Sequence, residues 1–396
     1  MLNAYSKENQ VVTLLNFSRD KIEQLKKEEF FCPACKEPVR IKNGKVNLPH
    51  FSHYNNSNCC ISNEGETIEH LTLKKALADW CEKESITCEL EKYLPEVNQR
   101  PDLLIGNLAI EIQCSPLSVQ RLVERTHSYQ RYGYIPIWIC GKKLFSNHQY
   151  LGEVTKNLCN YSDNIGFYLW AADWETEEII VYFHIEEDWK KRVYFSRKSW
   201  RFYTSSFLQI LCFPNQSTIH HQRIFNIGEL LHGYYAELNK KLNKKDEKIR
   251  VVQSVLYNNH FHLLTLPSWF YFPGVHLFCC RGSDILLKIK IWRLVACLDQ
   301  NVIEKKKLSD MLKREIEQSE ELLYEMPNVS KREIKKYCVN QLLNHLIACG
   351  HLVKNSDGWK IEAKRDTQNP SELYQWLKRM ENKCLISATP IKNVIR

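Results

Sequence analysis

The stretch Arg100-Pro-Asp-Leu-Leu-Ile-Gly-Asn-Leu-Ala-Ile-Glu-Ile-Gln113 constrains the fold more than any other part of the chain. Gly106-Asn107 is a two-residue hairpin signal between two alternating runs. With these two residues as the loop, Ile105 faces Leu108, Leu104 faces Ala109, Leu103 faces Ile110, and Asp102 faces Glu111. A period of two puts Asp102, Leu104, Ala109, Glu111 and Gln113 on one face and Pro101, Leu103, Ile105, Leu108, Ile110 and Ile112 on the other. Like charges directly opposite one another destabilise a sheet, so such a pair needs a cation, a shared proton or water. A hard divalent metal meets that need. Mg2+ or Mn2+ held by carboxylates and phosphate oxygens polarises a phosphoryl oxygen and delivers a water nucleophile. The competing reading is an exposed hairpin whose acids simply face water.

Around the hairpin the pattern runs helix, strand, strand, strand, helix, strand. A helix over residues 64–84 sets Glu66, His70 and Lys74 on one stripe. Residues 86–94 read as a strand that includes Glu89 and Glu91. A helix over 116–132 aligns Arg121, Arg125 and Tyr129 at steps of four, and the strand 135–140 closes the core.

Upstream, Cys32-Pro-Ala-Cys35 and His50-Phe-Ser-His53 offer two thiolates and two imidazoles, the donor set of a tetrahedral zinc site. Cys59 and Cys60 are reserve ligands, and one of them could replace His50 or His53. A segment of about 60 residues buries little core unaided, so bound zinc would decide whether it folds. A filled four-ligand shell leaves no open position, so the role is structural. Sixteen cysteines in 396 residues otherwise read as reduced core thiols, not a secreted disulfide scaffold.

With 44% hydrophobic and 11% aromatic residues, disorder is excluded as the default. No run approaches a membrane span, and residues 1–27 are broken by charges where a signal peptide needs an apolar centre, so a cytoplasmic protein is expected. Charge is unevenly placed. Residues 228–396 carry 28 Lys+Arg against 19 Asp+Glu, which accounts for the whole net charge of +9. A basic third facing nucleic acid is one reading, and a solvated lysine-rich helical surface is the other. Within it, helices over 304–324 and 331–349, Gly350, and a hairpin at Asp357-Gly358 resemble a winged helix with Lys354 and Lys360 on the wing.

The order of elements and the Pro-Asp…Glu-x-Gln pair resemble the restriction-endonuclease-like nuclease core. More specifically, Cys32-Pro-Ala-Cys35, His50-Phe-Ser-His53, Glu69-His70 with Lys74, Arg100-Pro-Asp102, Ile110-Glu-Ile-Gln-Cys-Ser115, Arg125-Thr126 with Tyr129, and Ile137-Trp-Ile139 together resemble the competence protein CoiA family. The resemblance is dense over residues 1–145 and weak beyond.

It implies an α/β protein with an αβββαβ core, a small zinc-ribbon-like segment before it and a mainly helical domain after it. The expected divisions are 1–62, a nuclease-like 63–165, a strand-rich extension 166–227, and a basic helical 228–396. It implies a metal-dependent deoxyribonuclease processing incoming DNA during recombination in natural transformation, on single-stranded DNA or a recombination intermediate, with recombination proteins as possible partners. Asp102 and Glu111 would hold the metal with Glu91 or Glu66 as an extra ligand. Gln113 would orient water, His70 could bond a phosphate, and Lys74 or Arg125 would stabilise it. The nuclease pattern ends in Glu-x-Lys, and Gln113 lacks the ammonium that would stabilise the transition state. The alternative is therefore a weak or inactive DNA-binding recombination mediator on the same scaffold.

Overall fold

A computed structural model of the chain describes residues 1–44, 48–54, 59, 67–145, 149–188, 190–216, 227–263, 266, 268–270, 275–356, 358–363 and 375. Cys60, Glu66 and Asp357, all singled out above, lie outside the described residues, as does the expected start of the first helix at 64.

The amino-terminal segment is a five-stranded antiparallel sheet in the order β2-β1-β3-β4-β5. Its elements are β1 (Asn3–Tyr5), β2 (Val11–Thr13), α1 (Arg19–Leu25), β3 (Phe30–Phe31), β4 (Pro38–Lys42) and β5 (His50–His53). Ser18 caps α1, which turns Ile22 and Leu25 onto Phe30, Ile41 and Phe51. That core is small, as the segment's length dictates.

The next elements are α2 (Ile68–Lys83), β6 (Glu89–Leu90), β7 (Leu103–Ile105), β8 (Leu108–Gln113), α3 (Val119–Arg131) and β9 (Ile135–Gly141). Their order is the expected α, β, β, β, α, β. Thr67 caps α2 and Ser118 caps α3 through bonds to the amides three residues on. The hairpin register is the expected one, Leu103↔Ile110, Leu104↔Ala109 and Ile105↔Leu108. Gly106 takes φ +58°, the left-handed conformation a two-residue turn with glycine first requires. The expected strand over 86–94 shrinks to Glu89–Leu90 because Glu91 sits at φ +49° and turns the chain out of the extended conformation.

β8 pairs parallel with β9, and β9 parallel with β11 (Gly166–Asp173). The sheet continues through β12 (Glu178–Asp188) to β13 (Val193–Arg201), in the order β13-β12-β11-β9-β8-β7-β6. Before β11 come α4 (Glu153–Leu158) and β10 (Asn160–Ser162), and β10 adds to β11. On one face Leu73, Leu77 and Trp80 of α2 pack on Leu103, Ile105, Ile110 and Ile112. On the other, Tyr129 of α3 packs on Leu104 and Ala109. By alternation Glu111 and Gln113 belong to the α3 face.

The remainder is mainly helical: α5 (Phe207–Leu211), α6 (Phe213–Gln216), α7 (Ile227–Asn243), α8 (Glu247–Asn258), α9 (Ile285–Cys297), α10 (Lys305–Glu317) and α11 (Lys331–Ala348). β14 (Val275–His276) adds to β12. β15 (Val302–Ile303), β16 (Leu352–Asn355) and β17 (Gly358–Ile361) form a separate sheet in the order β15-β17-β16. The helix expected over 304–324 ends at Glu317 and is followed by a short 3-10 turn. One apolar cluster joins this part to the central sheet, with Phe167 and Leu169 of β11 packed among Trp292, Met326 and Leu342.

Candidate functional site

Two sites emerge, a thiol-imidazole cluster in the first sheet and an acid pair in the second. Cys32, Cys35, His53 and Cys59 bring one ligand atom each within 4.8 Å of one another, and no other group of three or more such residues does so among the described residues. His50 is the correction. It lies buried with Nδ1 2.9 Å from the Leu48 carbonyl, and Cys59 takes its place. The reason is parity. Residues three apart on a strand point to opposite faces, so His50 and His53 of β5 cannot both turn to the Cys32–Cys35 knuckle.

The donor set fits a structural metal such as zinc. Burial pushes the Cys35 thiol up to about 12, so the buried knuckle resists acquiring a thiolate unless a cation shares the space. Burial, helped by the Arg100 charge, lowers His53 and keeps the neutral imidazole that ligates.

The acid pair stands where the hairpin reading puts it. Asp102 directly precedes β7, in a bend just past the last ladder pair Leu103↔Ile110, and Glu111 follows Ile110 on β8. The two are 7% and 3% exposed, so the reading of acids facing water is excluded. Each carboxylate is held by a different helix. Asp102 Oδ2 accepts from the Ile112 amide at 2.8 Å and lies 3.0 Å from His70 Nε2, while Oδ1 lies 3.0 Å from Lys74 Nζ. Glu111 Oε1 accepts from Arg125 Nη2 and from the Tyr129 hydroxyl, both at 2.5 Å. Arg125 is also stacked over Trp138, its guanidinium carbon 5.2 Å from the ring centre. Gln113, 3% exposed, is anchored by its amide nitrogen to the Ser115 carbonyl at 2.8 Å.

The two acids differ in charge. Burial works to raise Asp102, but the neighbouring His70 and Lys74 and the Ile112 amide outweigh it and hold the carboxyl below the usual range. Burial pushes Glu111 up to about 7 against the pull of Arg125, and the Asp102 charge adds to the rise. Loss of solvent, more than any missing counter-charge, sets that rise, and a hard divalent cation at the pair would oppose it.

Glu91, expected as an extra ligand, is used otherwise. One oxygen accepts from Lys74 Nζ at 2.7 Å, and the other accepts from the amides of Leu2 and Asn3 at 2.7 and 3.0 Å. It clips β1 of the first sheet onto Lys74, and Lys74 in turn contacts Asp102. A buried carboxylate lies nearby that the stripe Glu66, His70, Lys74 passed over. Glu69 is 3% exposed, and burial raises its pKa against the backbone amides of Lys142 and Lys143. A Cβ on Gly141 would stand 2.7 Å from Glu69 Oε1 and 2.6 Å from Cys114 Sγ, so only glycine fits there. The signal was present in Glu69-His70, but an acid one residue off a polar stripe reads as a surface residue.

Comparison with known proteins finds a family match in each of the two regions. The family model described as Competence protein CoiA, nuclease-like domain, matches residues 66–215, and that described as Competence protein CoiA, N-terminal domain, matches residues 14–62. Competence protein CoiA of Bacillus subtilis (strain 168) is 36% identical over 123 residues, which cover 30% of this chain and 33% of that relative. The match thus spans about a third of the curated relative's length. No solved structure matches the chain.

Proposed function

Because the chain belongs to the competence protein CoiA family, we propose that it processes DNA in natural transformation through a restriction-endonuclease-like, metal-dependent site at Asp102 and Glu111. The observation that carries this reading is the burial of both acids on one β-hairpin, with Asp102 held by Lys74 and His70, and Glu111 by Arg125 and Tyr129.

Asp102 and Glu111 would hold the divalent cation, which when bound supplies Lewis-acid polarisation of a phosphoryl oxygen. Lys74 restores the ammonium that the Glu-x-Gln pattern lacks, delivered from a helix instead of the strand. It lies 3.0 Å from Asp102, where it would stabilise charge developing on a phosphodiester brought to that acid. Gln113, its amide plane fixed by Ser115, orients the attacking water. Arg125 can exchange Glu111 for phosphate while it remains stacked on Trp138. Cleavage in this scheme leaves a 5′-phosphate.

A second reading rests on one observation. Lys74 and Arg125 already neutralise much of the acid charge, as they would in a non-catalytic DNA-binding recombination mediator. Incubating the protein with Mg2+ or Mn2+ and single-stranded, duplex or branched DNA separates the two. Metal-dependent cleavage abolished by Glu111→Ala supports the nuclease, and cleavage that survives this substitution overturns the site. Metal-independent binding without cleavage favours the mediator.

A further inference from the structure

The carboxy-terminal module has the connectivity of a winged helix. α9, β15, α10, α11, β16 and β17 follow in that order, and the sheet order β15-β17-β16 returns the last strand to the centre. In DNA-binding proteins of this kind the second helix of the helix-turn-helix reads bases in the major groove with its amino-terminal residues. Here that end of α11 is already occupied. Tyr337 packs edge-on against Phe167 of β11 at 4.8 Å and lies 5.8 Å from Tyr161 of β10. Lys336 is paired with Asp163 at 2.6 Å. The loop leading into α11 is fastened as well, since the Met326 amide donates to Asn157 Oδ1 at 2.9 Å and Gln130 Nε2 donates to the Pro327 carbonyl at 2.9 Å.

With the reading helix committed to the central sheet, the module keeps its wing and the start of α10. These two are neighbours. Gly358, at the turn end of the wing, lies so close to β15 that a Cβ there would meet the Ile303 carbonyl at 2.6 Å, one residue before Glu304 and the run Lys305-Lys306-Lys307. Lys306, Lys307 and Arg314 of α10 and Lys354 of the wing are exposed. Glu304 stands at the N-cap of α10, and the three lysines that follow leave the start of the helix net positive. The surplus positive charge of residues 228–396 points to the same chemistry.

We infer that Lys306, Lys307 and Lys354 form a surface that grips the phosphodiester backbone of duplex DNA without reading its sequence. The inference rests on the DNA-acting reading above, but it concerns a surface distinct from the acid pair. Backbone contact alone positions a duplex and carries no base information.

Fluorescence anisotropy of the full chain with a labelled duplex, without added Mg2+ and at increasing salt, tests it. The triple variant Lys306→Glu, Lys307→Glu, Lys354→Glu should bind at least tenfold more weakly, and its salt dependence should fall by about three counterions. Two duplexes of unrelated sequence should bind wild type within about twofold of each other. Unchanged affinity in the folded triple variant overturns the surface, as does a tenfold preference for single-stranded DNA. A tenfold preference for one duplex sequence overturns the claim that α11 does not read bases. Metal-dependent cleavage that is lost in Glu111→Ala, together with duplex binding that does not depend on the three lysines, would sink this inference alone, whereas the absence of any cleavage by wild type bears only on the acid pair.

Discussion

Glu111 is the residue whose chemistry is most exposed to experiment. Its carboxyl is pushed up to about 7 by burial, against an ordinary value near 4.3 in an unfolded chain. The folded protein therefore binds the extra proton between these values, and this group's contribution to stability declines as pH rises from about 4.3 to about 7. It is faced by Arg125 and Tyr129 from α3 and by Asp102, itself held by His70 and Lys74 from α2. A cation needs the anionic form, so Mn2+ affinity measured by titration should climb as pH approaches about 7 and level off above it. Glu111→Gln should remove the step near 7, and a step that persists would assign it to another group. The hairpin behind this prediction was legible because Gly106-Asn107 and strict alternation leave one register. Glu91 was not, since nothing in the pattern announces a left-handed residue at the end of a strand.

At the scale of elements the thiol-imidazole cluster gives the sharper lesson. Two histidines three residues apart converge on a helix, which is how finger-like spacings come to be read as ligand pairs. On β5 the same spacing separates them, and the strand's parity selects His53 with Cys59. Metal content by elemental analysis should stay near one zinc per chain in His50→Ala and fall well below it in Cys59→Ser. The reverse pattern would restore His50 as a ligand. Contacts between elements were the illegible part. Lys74 meets Asp102, and Arg125 meets Glu111, only once α2 and α3 have packed on the sheet, which no local pattern announces.

Across the whole molecule, the central sheet and the helical remainder share one apolar cluster and a set of buried charges. Glu187 of β12, fully buried, is paired with Lys156 of α4 and lies 3.5 Å from His276 of β14. A chain ended after Gln216 would match the family's nuclease-like domain almost in full, yet lose His276, Trp292 and Tyr337 from these contacts. It should bind the dye anilinonaphthalene sulfonate several-fold more strongly than the full chain and aggregate. A soluble, cooperatively unfolding fragment would contradict this. The clip at Glu91 reaches further still. Because its two oxygens grasp the first sheet and Lys74 at once, any displacement of that sheet would be carried through Lys74 to Asp102, so one carboxylate fastens the amino-terminal segment to the acid pair.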